Sequence, residues 1–102
     1  MTLTVLSVSG CPNLVLLDDR LHQALSGLPQ ATVTHRVIDD AAEAARWGMH
    51  GSPTLLVDGI DPFAEPGQTT SLSCRLYRDT EGHVSGAPGV EQLRRVLTGG
   101  RS

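Results

Sequence analysis

Lysine is absent from this chain, cysteine occurs twice, and Trp47, Phe63 and Tyr77 are the whole aromatic complement. Arginine is therefore the fixed cation, and the net charge is −3. That balance argues against nucleic acid as a partner, because a phosphate backbone is gripped by a contiguous basic surface. No long hydrophobic run exists either. Leu14 to Leu17 is the longest and falls far short of a membrane span. No charged leader segment precedes the first strand, so a cytoplasmic location is expected, with no membrane partner. Two cysteines are too few for a disulfide scaffold. In a reducing compartment they are read as catalytic, metal-binding or buried thiols. His22 and His83 stand at no ligand spacing, no zinc pattern is present, and no metal or cofactor is expected.

The 102 residues suit one domain, 1–102, with one core. Leu3 to Val8 carries apolar residues on both faces and reads as an interior strand. A helix is expected over 12–26, with Pro12 in its first turn. Leu14, Leu17, Leu21, Leu25 and Leu28 form its buried stripe, and Gly27 and Pro29 stop it. Ala31 to Ile38 reads as a second strand. Asp40 to Glu43 has the form of a capping box, opening a short helix that Gly48 closes in a left-handed conformation. Thr54 to Val57 is a third strand, 60–70 an irregular loop, Ser71 to Arg78 a fourth strand, and Val90 to Leu97 a last helix.

Chemistry concentrates around Cys11-Pro12 and Gly51-Ser52-Pro53-Thr54. Cys11 stands where a strand gives way to a helix, and the free N–H groups and dipole of a helix start favour a thiolate. Two readings of Cys11 stand: a nucleophilic or soft-metal thiolate, or a small residue retained at a helix start. Pro53 opens a strand, a position that tolerates the missing N–H. His50 lies in the loop expected to face Cys11, where an imidazolium would favour the thiolate. Cys74 alternates with Leu72 and Leu76, opposite Ser73, Arg75 and Tyr77. It reads either as a buried core thiol or as a partner for Cys11. Asp61 reads as the start of an Asp-Pro turn, Phe63 as a plug beneath the loop and Trp47 as core.

The order β-α-β-α-β-β-α, the Cys11-Pro12 pair and the run Trp47-Gly48-Met49-His50-Gly51-Ser52-Pro53-Thr54 together resemble the thioredoxin-like superfamily. The resemblance covers nearly the whole chain. It implies an α/β fold with a four-stranded mixed sheet and helices on both faces. It also implies that Cys11 faces a cis bond at Ser52-Pro53. The sequence departs from that family at Leu14, which occupies the position of the second cysteine of a Cys-x-x-Cys motif, and in offering no buried acid before Cys11. Asp58 to Phe63, Ser73 to Tyr77 and Gly86-Ala87-Pro88 resemble a group of short bacterial thioredoxin-like proteins, some of them labelled alkylmercury lyase. That label implies cysteine attack on a carbon–mercury bond, with Hg²⁺ held by two thiolates; this chain is short for the full lyase.

The resulting expectation is a thiol-based redox protein. Cys11 acts opposite Pro53 and exchanges disulfides with small thiols, with protein thiols, or with Cys74. Pro12, Asn13, His50, Ser52 and Thr54 are expected to line the site. The alternative is a binding module without redox turnover, taking a soft metal such as mercury through Cys11 and Cys74.

Overall fold

A computed structural model describes residues 1–27, 31–79 and 81–98. Its first strand, β1 (Thr2–Ser7), pairs in parallel with β2 (Thr32–Val37) and antiparallel with β4 (Thr54–Val57). Between them run α1 (Leu14–Ala24), α2 (Ala41–Trp47) and the short β3 (His50–Ser52). Then follow β5 (Ser71–Cys74), β6 (Tyr77–Arg78), β7 (Val84–Ser85) and α3 (Val90–Leu97).

The expected four-stranded sheet with helices on both faces is overturned. The strands form three separate sheets, β2-β1-β4, β3-β5 and β6-β7. Two local breaks account for this. The segment 71–78 is not one strand: it splits at Arg75-Leu76 into β5, which pairs in parallel with β3, and β6, which forms a hairpin with β7. Pro53 likewise separates β3 from β4, so one run of chain feeds two sheets. Proline has no N–H with which to continue a ladder. The Ser52–Pro53 bond is cis.

Successive residues of a strand point to opposite faces, and β1 and β4 divide the core accordingly. Leu3, Val5 and Leu55 pack with Leu17 and Leu21 of α1 and with Leu93 and Leu97 of α3. Leu6 and Leu56 pack instead with Ile38, Ala44 and Met49, with Trp47 against their edge. Arg36 lies over the Trp47 ring at 4.3 Å. No helix among the described residues is long and apolar enough to cross a membrane.

Helix ends follow their sequence signals. Asp40 accepts from Glu43 N at 2.8 Å, Glu43 reaches back to Asp39 N at 3.0 Å, and Gly48 closes α2 at φ 71°. Gln92 caps α3 by accepting from Gly89 N at 2.9 Å. The start of α1 differs from expectation. Its N-cap is Asn13, so Pro12 and Cys11 precede the helix instead of opening it. Cys11 lies in a turn, donating its N–H to Val8 O at 3.2 Å and accepting from Leu14 N at 3.3 Å. Asn13 is held there by close approach to Gly86, where a Cβ would stand 2.3 Å from the Asn13 side chain. Leu28 and Pro29 lie outside the described residues.

Candidate functional site

Ser52 joins the two cysteine-bearing segments. Its Oγ accepts from Val8 N at 3.0 Å, and Val8 O receives Cys11 N. On its other side Ser52 pairs with Cys74 across the β3–β5 ladder, and Ser52 O accepts from Arg75 N at 3.0 Å. Neighbouring strands in a ladder lie about 4.8 Å apart, so Cys74 is set directly beside the residue that precedes Pro53.

The two thiols differ in accessibility. Cys11, read as a nucleophilic or soft-metal thiolate, is buried, with 8 % exposure. Cys74, read as a core thiol or as a partner for Cys11, is exposed, and both cysteines are free. The cause is a break in alternation along the segment: Leu72 packs on the core, but Ser73 and Cys74 are both exposed. Leu76, placed by alternation on the buried side, is 70 % exposed, while Arg75 and Tyr77 are turned inward.

A buried arginine requires a counter-charge, and Asp61 supplies it. Asp61 Oδ2 accepts from Arg75 Nη1 at 2.7 Å and from His50 Nδ1 at 2.9 Å, while Oδ1 accepts from Phe63 N at 2.9 Å. The side chains of Asp61 and Arg75 are each 4 % exposed. Arg75 also donates Nη1 to Thr54 Oγ1 at 3.2 Å and Nη2 to Phe63 O at 2.9 Å. Its guanidinium lies 4.5 Å from the Tyr77 ring centre, and Phe63 meets that ring edge-on at 5.7 Å. Tyr77 Oη donates to Pro53 O at 2.6 Å. Burial pushes the phenol well above its ordinary range, with Arg75 opposing that rise.

Gly51 makes this crossing possible. It holds φ 112°, and a Cβ there would stand 2.8 Å from Arg75 Cβ. A side chain at position 51 would therefore displace the strand that delivers Arg75. The described residues leave no buried side-chain nitrogen or oxygen unpartnered.

The expected site residues thus divide. Cys11, Ser52, Pro53 and Cys74 belong to one linked group. Thr54 is fully buried, with its hydroxyl committed to Gly51 O at 2.6 Å and to Arg75, so it presents nothing to a ligand. Pro12 is exposed and Asn13 packs on Gly86. His50 is part of the site but is held by Asp61; its side chain retains 19 % exposure. Asp61, Phe63, Arg75 and Tyr77 form the support behind the loop. Asp61 does start a turn, yet its main contacts are the Arg75 guanidinium and the His50 imidazole. Asp58 to Phe63 and Ser73 to Tyr77 were already distinctive in the sequence, and that was the available signal for them.

One cluster of potential metal ligands occurs among the described residues: Asp79, Glu81 and His83 in the β6–β7 hairpin. Asp79 there accepts from the backbone N–H groups of His83 and Glu81, which hold its carboxyl below the usual range. Neither cysteine belongs to the cluster. The chain matches no family model, no curated protein and no solved structure.

Proposed function

We propose that the chain is a dithiol protein that exchanges disulfides at the Ser52–Pro53 loop. Cys74 is the entry thiol and Cys11 the second thiol. The observation that carries this reading is Ser52, hydrogen-bonded to the Cys11 turn on one side and paired with Cys74 on the other. The exposure of Cys74 supports its place as the first nucleophile.

The Cys74 thiolate attacks one sulfur of a small-molecule disulfide RSSR. A Cys74–SR bond forms and RS⁻ leaves. Cys11, as thiolate, then attacks the Cys74 sulfur and expels the second RS⁻. The protein dithiol is oxidised by two electrons and the external disulfide is reduced to two thiols. A small thiol in excess reverses both steps. The Asp61–Arg75–Tyr77 support fixes Pro53 and Thr54, so the loop presents the Ser52–Cys74 edge in one geometry.

Trapping with single cysteine variants tests the order. Cys11→Ser, treated with a small aromatic disulfide, is expected to accumulate one mixed disulfide on Cys74 and release one equivalent of thiol. The wild type is expected to release two. One equivalent from both proteins would remove Cys11 from the cycle, and no adduct on Cys74 would remove the entry role.

A further inference from the structure

A cavity of about 220 Å³ is walled by Arg20, Tyr77, Asp79, His83, Ser85 and Gln92. Arg20 is the unusual wall. It is half-buried on α1, yet every acceptor it reaches is neutral. Nη1 donates to Ser85 Oγ at 3.1 Å, Ala87 O at 2.8 Å and Pro88 O at 3.3 Å. Among the described residues no carboxylate lies within ion-pair distance of it. The acids nearest in sequence are engaged elsewhere: Asp18 with His35 at 2.8 Å and Asp19 with Gln23 at 3.2 Å.

All three bonds use one nitrogen. The Nε–H and Nη2 edge of the guanidinium has no acceptor among the described residues. That edge carries two parallel donors, the fork that matches a carboxylate or phosphate bidentately. The other polar walls are already satisfied. Gln92 is spent on Gly89 N and on Arg78 O at 3.1 Å. The Asp79 carboxylate is turned into its own hairpin, accepting from Glu81 N, His83 N and His83 Nδ1. His83 Nε2 has no partner among the described residues. Gly89, the N-cap of α3, is also on the wall and brings the positive end of that helix dipole. The Nε–Nη2 edge of Arg20 is therefore the unspent donor pair on the wall, carried by a cation with no carboxylate partner among the described residues.

From this arrangement we infer that the cavity binds a small oxyanion, a carboxylate or a phosphate group, on the Nε–Nη2 edge of Arg20. The volume lies below the roughly 300 Å³ at which pockets for drug-sized ligands begin, so the bound part is a single anionic group or a small molecule that carries one. Asp79, also on the wall, disfavours a polyanion.

Nuclear magnetic resonance on the whole chain reads this directly through the Arg20 Nε–H resonance. Inorganic phosphate and acetate are titrated separately at constant ionic strength, with chloride as the exchanged ion. Arg20 Nε–H and the amides of 77–92 are expected to shift together and saturably with at least one of the two. Stronger saturation by phosphate assigns a phosphate-bearing ligand, and stronger saturation by acetate a carboxylate-bearing one. Arg20→Lys keeps the charge and removes the fork, and is expected to weaken binding at least tenfold. An Arg20 Nε–H resonance unmoved by both anions in the wild type would overturn the site, whatever the variant does. So would equal affinity in an Arg20→Lys protein with an otherwise native spectrum.

Discussion

Asp61→Ala is the sharpest perturbation of the support behind the loop. It removes the acceptor of three bonds at once, from Arg75, His50 and Phe63 N. Arg75 would then be a guanidinium 4 % exposed, with Thr54 Oγ1 and Phe63 O as its remaining acceptors. Breaking a buried ion pair from one side costs about 3–5 kcal/mol, because the partner charge stays desolvated. Domains of this size hold about 5–15 kcal/mol in total, so a large share of the stability is at stake. Each kcal/mol moves the melting temperature of a 60–100-residue domain by about 4–8 °C, which puts the expected fall at about 12 °C or more. Urea unfolding followed by the fluorescence of Trp47, the sole tryptophan, reads the loss. Asp61→Leu combined with Arg75→Met is expected to lose much less than the two single losses added, because neither charge is then stranded. A loss below about 1 kcal/mol for Asp61→Ala, the range of exposed ion pairs, would refute the reasoning.

Cys74 is expected to alkylate faster than Cys11 with a small iodoacetamide reagent near neutral pH, since Cys74 is exposed and Cys11 buried; faster labelling of Cys11 would reverse the assignment of the entry thiol. Gly51→Ala is expected to destabilise by about 1–3 kcal/mol or more, because the new Cβ meets Arg75 Cβ at 2.8 Å with φ at 112°; an unchanged urea midpoint would show that β3 and β5 do not approach as described. Tyr77 is expected to stay un-ionised in the folded protein above its ordinary range. The unfolded chain releases that proton near pH 10 and the folded chain does not, so Tyr77 lowers stability as pH rises above about 10. Phenolate absorbance at pH about 10–11, with native circular dichroism retained, would contradict the buried phenol.

Single elements were legible because their signals are local, while the sheet architecture was not. Thr54–Val57 and Val90–Leu97 occupy the expected positions, and Asp40, Glu43 and Gly48 bound α2 through contacts within a few residues. The segment 71–78 was misread because alternation assumes that the apolar side faces inward. Here Arg75 and Tyr77 face inward, and the reason lies 14 residues upstream at Asp61. A pairing of that separation leaves no periodicity in either segment. The same contact explains why His50 is held by a carboxylate and why Thr54 is closed to ligands. Pro12 was placed in the first turn of α1, but its fixed φ suits equally well the residue before the Asn13 N-cap. The sequence thus placed Cys11, Ser52, Pro53 and Cys74 near one another, while the accessibility of each depended on pairings across the chain.

Mapping the cross-link in wild-type protein oxidised by excess small disulfide tests the dithiol reading most directly. After proteolysis without reduction, a peptide pair joined through Cys11 and Cys74 is predicted, with little small thiol left attached. Recovery of the two cysteines as separate mixed disulfides, or of Cys11 as a free thiol beside a stable adduct on Cys74, would contradict it.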